Sequence, residues 1–154
     1  MSLRQEIDAF LEARRIAVAG VSTDPKHFSR MLFRDLLRRG YDLVAVNPKR
    51  NEIEGRRCYA SVCNIEPPPE GVLIMTPPAQ TNQIVEDCIA SGVHRIWMHR
   101  GGGAGAVSLM AVRLCRENGI SVIPGECPYM FLPQSGFPHN AHGWMRKALH
   151  AELR

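Results

Sequence analysis

Several familiar signatures are missing from this chain of 154 residues, and each absence removes a class of function. No apolar run approaches the ~20 residues of a membrane span, so no membrane partner is expected. The first residues, Met1 to Arg15, are charged and periodic, with Leu3, Ile7, Phe10 and Leu11 on one helical face. They lack the apolar centre of a signal peptide, and the expected location is the cytoplasm. The five cysteines are odd in number and contain no Cys-x-x-Cys pair, which reads as free thiols in a reducing compartment. Basic residues are scattered, with no Arg/Lys block and no aromatic ladder, so a net charge of +4 gives no support for nucleic-acid binding. There is no internal repeat and no low-complexity linker. Catalytic signatures are missing too: no paired carboxylates in a glycosidase-like setting, no nucleophile elbow and no substrate domain.

What is present is a regular alternation. A hydrophobic fraction of 45% and a charged fraction of 22% fit a globular chain that folds as a single domain over 1–154. Apolar runs at RIAVAGV, DLVAVN, GVLIMT, HRIWMHR and ISVIPG read as strands, with a short extra one near RRCYA. Most are continuous rather than alternating, as in strands buried on both faces of a parallel sheet. Helical periodicity fits HFSRMLFRDLLRRG, PAQTNQIVEDCIASG and AGAVSLMAVRLCRENG, each closed by a glycine (Gly40, Gly92, Gly119). The pattern predicts a Rossmann-like, doubly wound, mainly parallel sheet of five to six strands with helices on both faces. Further helices, from Ser2 and from about Ala141, are expected to pack on it.

Such sheets bind ligands beyond the carboxyl ends of their strands, where strand order reverses. Here that point is expected between the first strand and GVLIMT, with three loops as walls. In the first wall, Gly20 permits a sharp turn, Ser22 and Thr23 offer hydroxyls, and Lys26 and His27 add positive charge. The amides near Phe28 and Ser29 would sit at a helix N-terminus, a ready anion site suited to a pyrophosphate. The alternative is a plain strand-to-helix turn capped by Ser29. In the second wall, the strand ends in Asn47, Pro48, Lys49 and Arg50, without the carboxylate that an NAD site uses for its ribose. Cations there suit a phosphorylated ribose, as in NADP or coenzyme A, or else form an ordinary solvated turn. In the third wall, TPPAQ, the run Thr76-Pro77-Pro78 places proline in a first helical turn. Such rigid residues suit a flat slot for an adenine or a pantetheine arm, or serve folding alone.

The ordered set GVSTDPKHFSR, GYDLVAVNPKR, IEGRRCYASVCNI, TPPAQT and GECPYMF…GFPHNAHG resembles the small single-domain CoA-binding proteins. Their Rossmann-like fold is similar to the CoA-binding domain of the succinyl-CoA ligase α chain. The resemblance runs from about Arg15 to Lys147 and implies a module that binds coenzyme A or an acyl-CoA without catalysis of its own. By that resemblance Gly20, Val21, Ser22, Lys26, Phe28, Ser29, Asn47, Pro48, Lys49, Thr76, Pro77 and Pro78 are the coenzyme contacts. Two departures from the pattern are His27, where Lys or Arg is commoner, and Ser29-Arg30, where Gly-Asn is frequent. The ligase's phosphorylated histidine region has no counterpart, so ligase chemistry does not carry over. An NADP-dependent oxidoreductase, or an accessory subunit to one, is the other reading, and a subunit with a vestigial site is a third. A protein partner or homo-oligomer is left open.

Two further features compete for attention. After HRIWMHR, the run GGGAGA reads Gly101-x-Gly103-x-x-Ala106, with Glu126 at the spacing of a ribose acid. By motif this is the better dinucleotide fingerprint, but it belongs to a strand expected near the sheet edge. The segment GECPYMFLPQSGFPHNAHGW holds Cys127, His139 and His142, which admit a metal site, a Cys–His nucleophile or a buried thiol beside a helix-orienting histidine. Cys127 follows the last strand on the ligand-binding edge, within conceivable reach of a CoA thiol.

Overall fold

The computed structural model describes residues 1–133. The order is α1 (Leu3–Leu11), β1 (Arg15–Ala19), α2 (Phe28–Arg38), β2 (Asp42–Val46), β3 (Glu52–Ile53), β4 (Arg56–Tyr59), β5 (Gly71–Ile74), α3 (Pro78–Ser91), β6 (Arg95–Met98), α4 (Leu109–Glu117) and β7 (Ser121–Pro124). Strand order across the sheet is β3-β4-β2-β1-β5-β6-β7, all pairs parallel except β3 with β4. Strand order therefore reverses between β1 and β5, where the pattern of elements placed it. The helix and histidines expected from about Ala141 lie outside the described residues.

The continuous apolar runs bury both faces of the sheet. Ile16, Val18, Leu43, Ala45, Leu73, Trp97 and Ile123 face α1 and α2, joined by Ile7, Phe10, Leu32, Phe33 and Leu36. The alternate positions Ala17, Ala19, Val44, Val46, Val72, Ile74, Ile96 and Met98 face α3 and α4, against Val85, Cys88, Ala111, Val112 and Cys115. A strand period of two and a helix on each side make every position of a central strand a core position. Trp97 anchors the first layer: its ring meets Phe10 edge-on at 5.4 Å, and its Nε1 donates to the carbonyls of Gly125 and Glu126 at 2.9 and 3.1 Å. Ser2 and Gln5 cap α1 reciprocally. Leu3, expected on the buried face with Ile7, Phe10 and Leu11, is 44% exposed.

Two elements differ from the sequence pattern. Among the described residues seven strands replace five or six: the short strand expected near RRCYA is β4, and β3, at two residues too short for periodicity to register, pairs with it in a hairpin. Its two-residue turn, Glu54-Gly55, has positive φ at both positions (52° and 73°), the sign pattern that matches strand twist. Helix α4 starts at Leu109, capped by Ser108, not at Ala104, because the glycines before it form an irregular loop.

Gly20 fixes the spacing of the two central loops. Its φ is +90°, and a Cβ there would lie 2.7 Å from backbone atoms of Met75 and Thr76. Gly20→Ala should therefore destabilise the fold by about 1–3 kcal/mol, measured by urea unfolding. A control at Gly119, where a Cβ meets nothing within 4 Å, keeps the same sign of φ (+67°) without the close approach. Gly119→Ala should accordingly cost less, the difference reporting the contact with the loop after β5.

Candidate functional site

A cleft of about 760 Å³ opens at the reversal point, within the size range of small-ligand sites. Its walls come from the ends of β1 (Ala19, Gly20, Val21, Thr23), β2 (Val46, Asn47, Pro48, Lys49), β4 (Ala60, Ser61, Val62) and β5 (Met75, Thr76, Pro77). Helix α3 closes it with Ala79, Gln80, Gln83, Ile84 and Asp87. The cleft thus lies on the α3 side of the sheet. Among the described lining residues Lys49 is the one cation and Asp87 the one carboxylate.

The fold brings together seven of the twelve residues that the resemblance gives as coenzyme contacts, Gly20, Val21, Asn47, Pro48, Lys49, Thr76 and Pro77, and with them Thr23 of the first wall. Asn47 ties three walls. Its Nδ2 donates to the Val21 carbonyl at 3.1 Å, its Oδ1 accepts from the Lys49 amide at 2.8 Å, and its own amide donates to Tyr59. Thr76 is buried, its hydroxyl 3.1 Å from that of Thr81, which in turn donates to the Ala106 carbonyl. Pro78 opens α3, as the proline pattern predicted, but does not line the cleft.

Ser22, Lys26, Phe28 and Ser29 also stand outside the cleft lining, and their contacts show why. The cap of α2 is His27, not Ser29: its Nδ1 accepts from the Ser29 amide at 3.1 Å. The Ser29 hydroxyl lies 2.8 Å from the same nitrogen and accepts from the Ser22 amide at 2.9 Å. The Ser29 amide, expected to be open to an anion, is therefore satisfied internally. The Ser22 hydroxyl accepts from Asp24, whose carboxylate accepts from the Lys26 amide. Phe28 turns to the opposite face, its ring tilted against His99 at 5.4 Å and edge-on to Tyr129 at 5.8 Å.

The β1–α2 loop is held from outside by arginines. Arg30 donates to the carbonyls of Ser22 and Thr23 and, with Arg34, to the Glu54 carboxylate at 2.8 and 2.9 Å. Arg34 also donates to the Pro25 carbonyl. Glu54 occupies the strained first position of the hairpin turn, so one carboxylate locks β3–β4 to the loop beside the cleft. Hydrogen bonds from Arg34, then Arg30, hold its carboxyl below the usual range.

The Gly101–Ala106 run lacks the setting of a dinucleotide fingerprint. Strand β6 is next to the edge strand β7, and the run ends before the cap of α4 rather than opening that helix. Gly105 serves packing, since a Cβ there would lie 2.4 Å from the His99 carbonyl, whereas a Cβ on Gly102 or Gly103 would meet nothing within 4 Å. His99 itself is partly buried, its Nε2 has no hydrogen-bond partner among the described residues, and burial lowers its pKa. Cys127 is half-buried, and all five cysteines are free thiols. Among the described residues no group of three or more His, Cys, Asp or Glu could hold a metal. His139 and His142 lie outside them. No helix in residues 1–133 is long and apolar enough to cross a membrane.

Sequence reasoning missed the fourth and fifth walls. Ala60, Ser61 and Val62 follow β4, and the parallel pairing of β4 with β2 carries them to the same sheet edge. Gln83, Ile84 and Asp87 continue at helical spacing from Gln80, the end of the expected TPPAQ wall, which puts them on one face of α3 with it. That spacing was available as a signal.

The Glu54 lock has a measurable pH signature. Its folded pKa is lowered, so its stabilisation is present above the ordinary carboxylate range and is lost as pH falls through the folded pKa. Glu54→Gln should cost about 1 kcal/mol at pH 7, the upper end for a partly exposed ion pair. The gap between the two proteins should close on acidification, as followed by denaturant midpoints from pH 7 to pH 3.

Comparison with known proteins gives a consistent answer. The chain is 27% identical to the uncharacterized protein YneT of Bacillus subtilis over 80% of its length and 90% of that protein's. Over 88 residues it is 32% identical to the acetate–CoA ligase [ADP-forming] II subunit alpha of Pyrococcus furiosus, covering 56% of this chain and 19% of that subunit. A hypothetical protein of known structure from Pyrococcus horikoshii superposes with a TM-score of 0.76 at 27% identity, over 84% of this chain and 89% of that one. The dinucleotide-forming acetyl-coenzyme A synthetase 1 of Candidatus Korarchaeum cryptofilum matches at a TM-score of 0.63 and 27% identity, over 71% of this chain and 25% of that one. Residues 14–133 match the CoA binding domain family, and the chain belongs to it.

Proposed function

We propose that this protein binds coenzyme A or an acyl-CoA as a small module comprising the whole chain, without catalysis of its own. The observation that carries this reading is the β2 wall of the cleft. Asn47, Pro48 and Lys49 face the ligand space with no carboxylate where an NAD site would hold its ribose, so a phosphorylated ribose is the better match. Family membership and the alpha-subunit relative support the same ligand class. The cleft fits such a molecule in kind as well, being largely apolar with one cationic corner. We assign the contacts to Gly20, Val21, Asn47, Pro48, Lys49, Thr76 and Pro77. Ser22, Lys26, Phe28, Ser29 and Pro78 are assigned no contact inside the cleft and shape the loops around it. The free thiols support a reducing setting, the cytoplasm, and the alpha-subunit relative makes a protein partner a natural companion.

Calorimetric titration of CoA, dephospho-CoA, NAD and NADP into wild-type protein and Lys49→Glu tests this reading. Wild type should bind CoA and discriminate against NAD. Charge-assisted hydrogen bonds to phosphate contribute about 1.5–3 kcal/mol, so Lys49→Glu should weaken CoA about tenfold or more. Dephospho-CoA should be affected less, because Lys49 is assigned to the 3′-phosphate. Tight NAD binding without CoA binding would overturn the proposal, and NADP binding with hydride transfer would favour the oxidoreductase reading. No binding of any of the four would favour a vestigial site.

A further inference from the structure

We infer that Asp87 reads the nucleobase, making the α3 end of the cleft selective for adenine over purines that lack its 6-amino donor. This rests on the cleft being a nucleotide site, as proposed above. The charges lining the cleft point to one orientation of the ligand. The cationic Lys49 stands at the β2 end, whereas Asp87 lies two turns into α3, across from the turn that follows β4. A phosphate beside Asp87 would meet like charge, while the one cation of the described lining, Lys49, belongs to the β2 loop. The anionic part of the ligand therefore belongs with Lys49 and the Gly20 turn, and the uncharged base with Asp87.

The surroundings of Asp87 suit a base. Val62 and Ile84, from the β4 turn and α3, give the cleft apolar walls of the kind a planar heteroaromatic ring occupies. The carboxylate is held in place from both sides: Ser61 donates to Oδ2 at 3.2 Å and Gln83 donates to Oδ1 at 3.0 Å. An ionised carboxylate is an acceptor only, with about four lone-pair sites. Each oxygen thus keeps acceptor capacity after those two bonds, and what it lacks is a donor from the ligand. The 6-amino group of adenine is such a donor. The 6-oxo group of hypoxanthine is an acceptor and would face the carboxylate lone pair to lone pair.

The test uses adenosine 3′,5′-bisphosphate and its inosine and guanosine counterparts, titrated into wild type, Asp87→Asn, Asp87→Ala and Lys49→Glu. Wild type should bind the adenosine form about tenfold or more tighter than the inosine form, as expected for a hydrogen bond to a charged group. That ratio should fall to about twofold or less in Asp87→Ala. In Lys49→Glu all forms should weaken while the ratio persists. Hydroxyl and thiol contacts from Ser91 and Cys63 go to the Asp87 backbone carbonyl and survive the substitution, and thermal melting of Asp87→Asn checks the fold. An unchanged ratio in Asp87→Ala, no preference in wild type, or tighter guanosine binding would overturn the inference. CoA binding without base preference would defeat the Asp87 role alone. Adenine preference with no gain from the pantetheine arm would defeat the CoA reading alone, and failure of every bisphosphate to bind would overturn both.

Discussion

The structure turns on the close passage of β1 past the start of the β5 loop. At Gly20 there is room for a hydrogen and no more, since a Cβ would sit 2.7 Å from the peptide joining Met75 and Thr76. Because β1 pairs with both β2 and β5, this contact lies at the point where the crossovers part to opposite faces. A side chain there would push the two loops apart and fill the cleft they frame. The pairing of β4 with β2 then adds a further wall, and α3, launched from Pro78, closes the far side.

The loops around this opening are held largely by the protein's own polar groups. His27 and Ser29 tie off the start of α2, Asn47 links the loops after β1, β2 and β4, and Glu54 gathers Arg30 and Arg34 against the β1–α2 loop. The result is a cleft whose rim is braced by bonds within the protein, with donors and acceptors engaged along the α2 side. Preorganisation of this kind reduces the ordering cost of binding. It also divides the labour: α2 stabilises the loop, while the β2 and α3 walls meet the ligand space.

The parallel sheet, its reversal point and the three loops were legible from the sequence because they depend on patterns longer than one element. Continuous apolar strands, helix periods and glycine stops all agreed. The roles of individual polar residues were less legible. Ser29 reads as a cap or a phosphate contact, yet one turn of helix points its hydroxyl back at Ser22. Arg30 reads as one more scattered cation until the hairpin turn places Glu54 beside it, 24 residues away in sequence. The hairpin escaped because its first strand, β3, has two residues and carries no periodicity, although its second, β4, was expected at RRCYA. GGGAGA shows the opposite failure: a motif satisfied in letters but not in setting, since no helix begins where its last residue stands. Asp87 and Ser61 were missed because their meeting depends on strand order beyond β2.

Amide chemical-shift mapping during a CoA titration tests the central claim most directly, because it locates the ligand without relying on any substitution. The largest shifts should fall on Gly20, Val21, Lys49, Ser61 and Ile84, with Gly103 and Gly105 changing little. Shifts centred on Gly101–Gly105, with the β1 and β2 loops silent, would contradict the account.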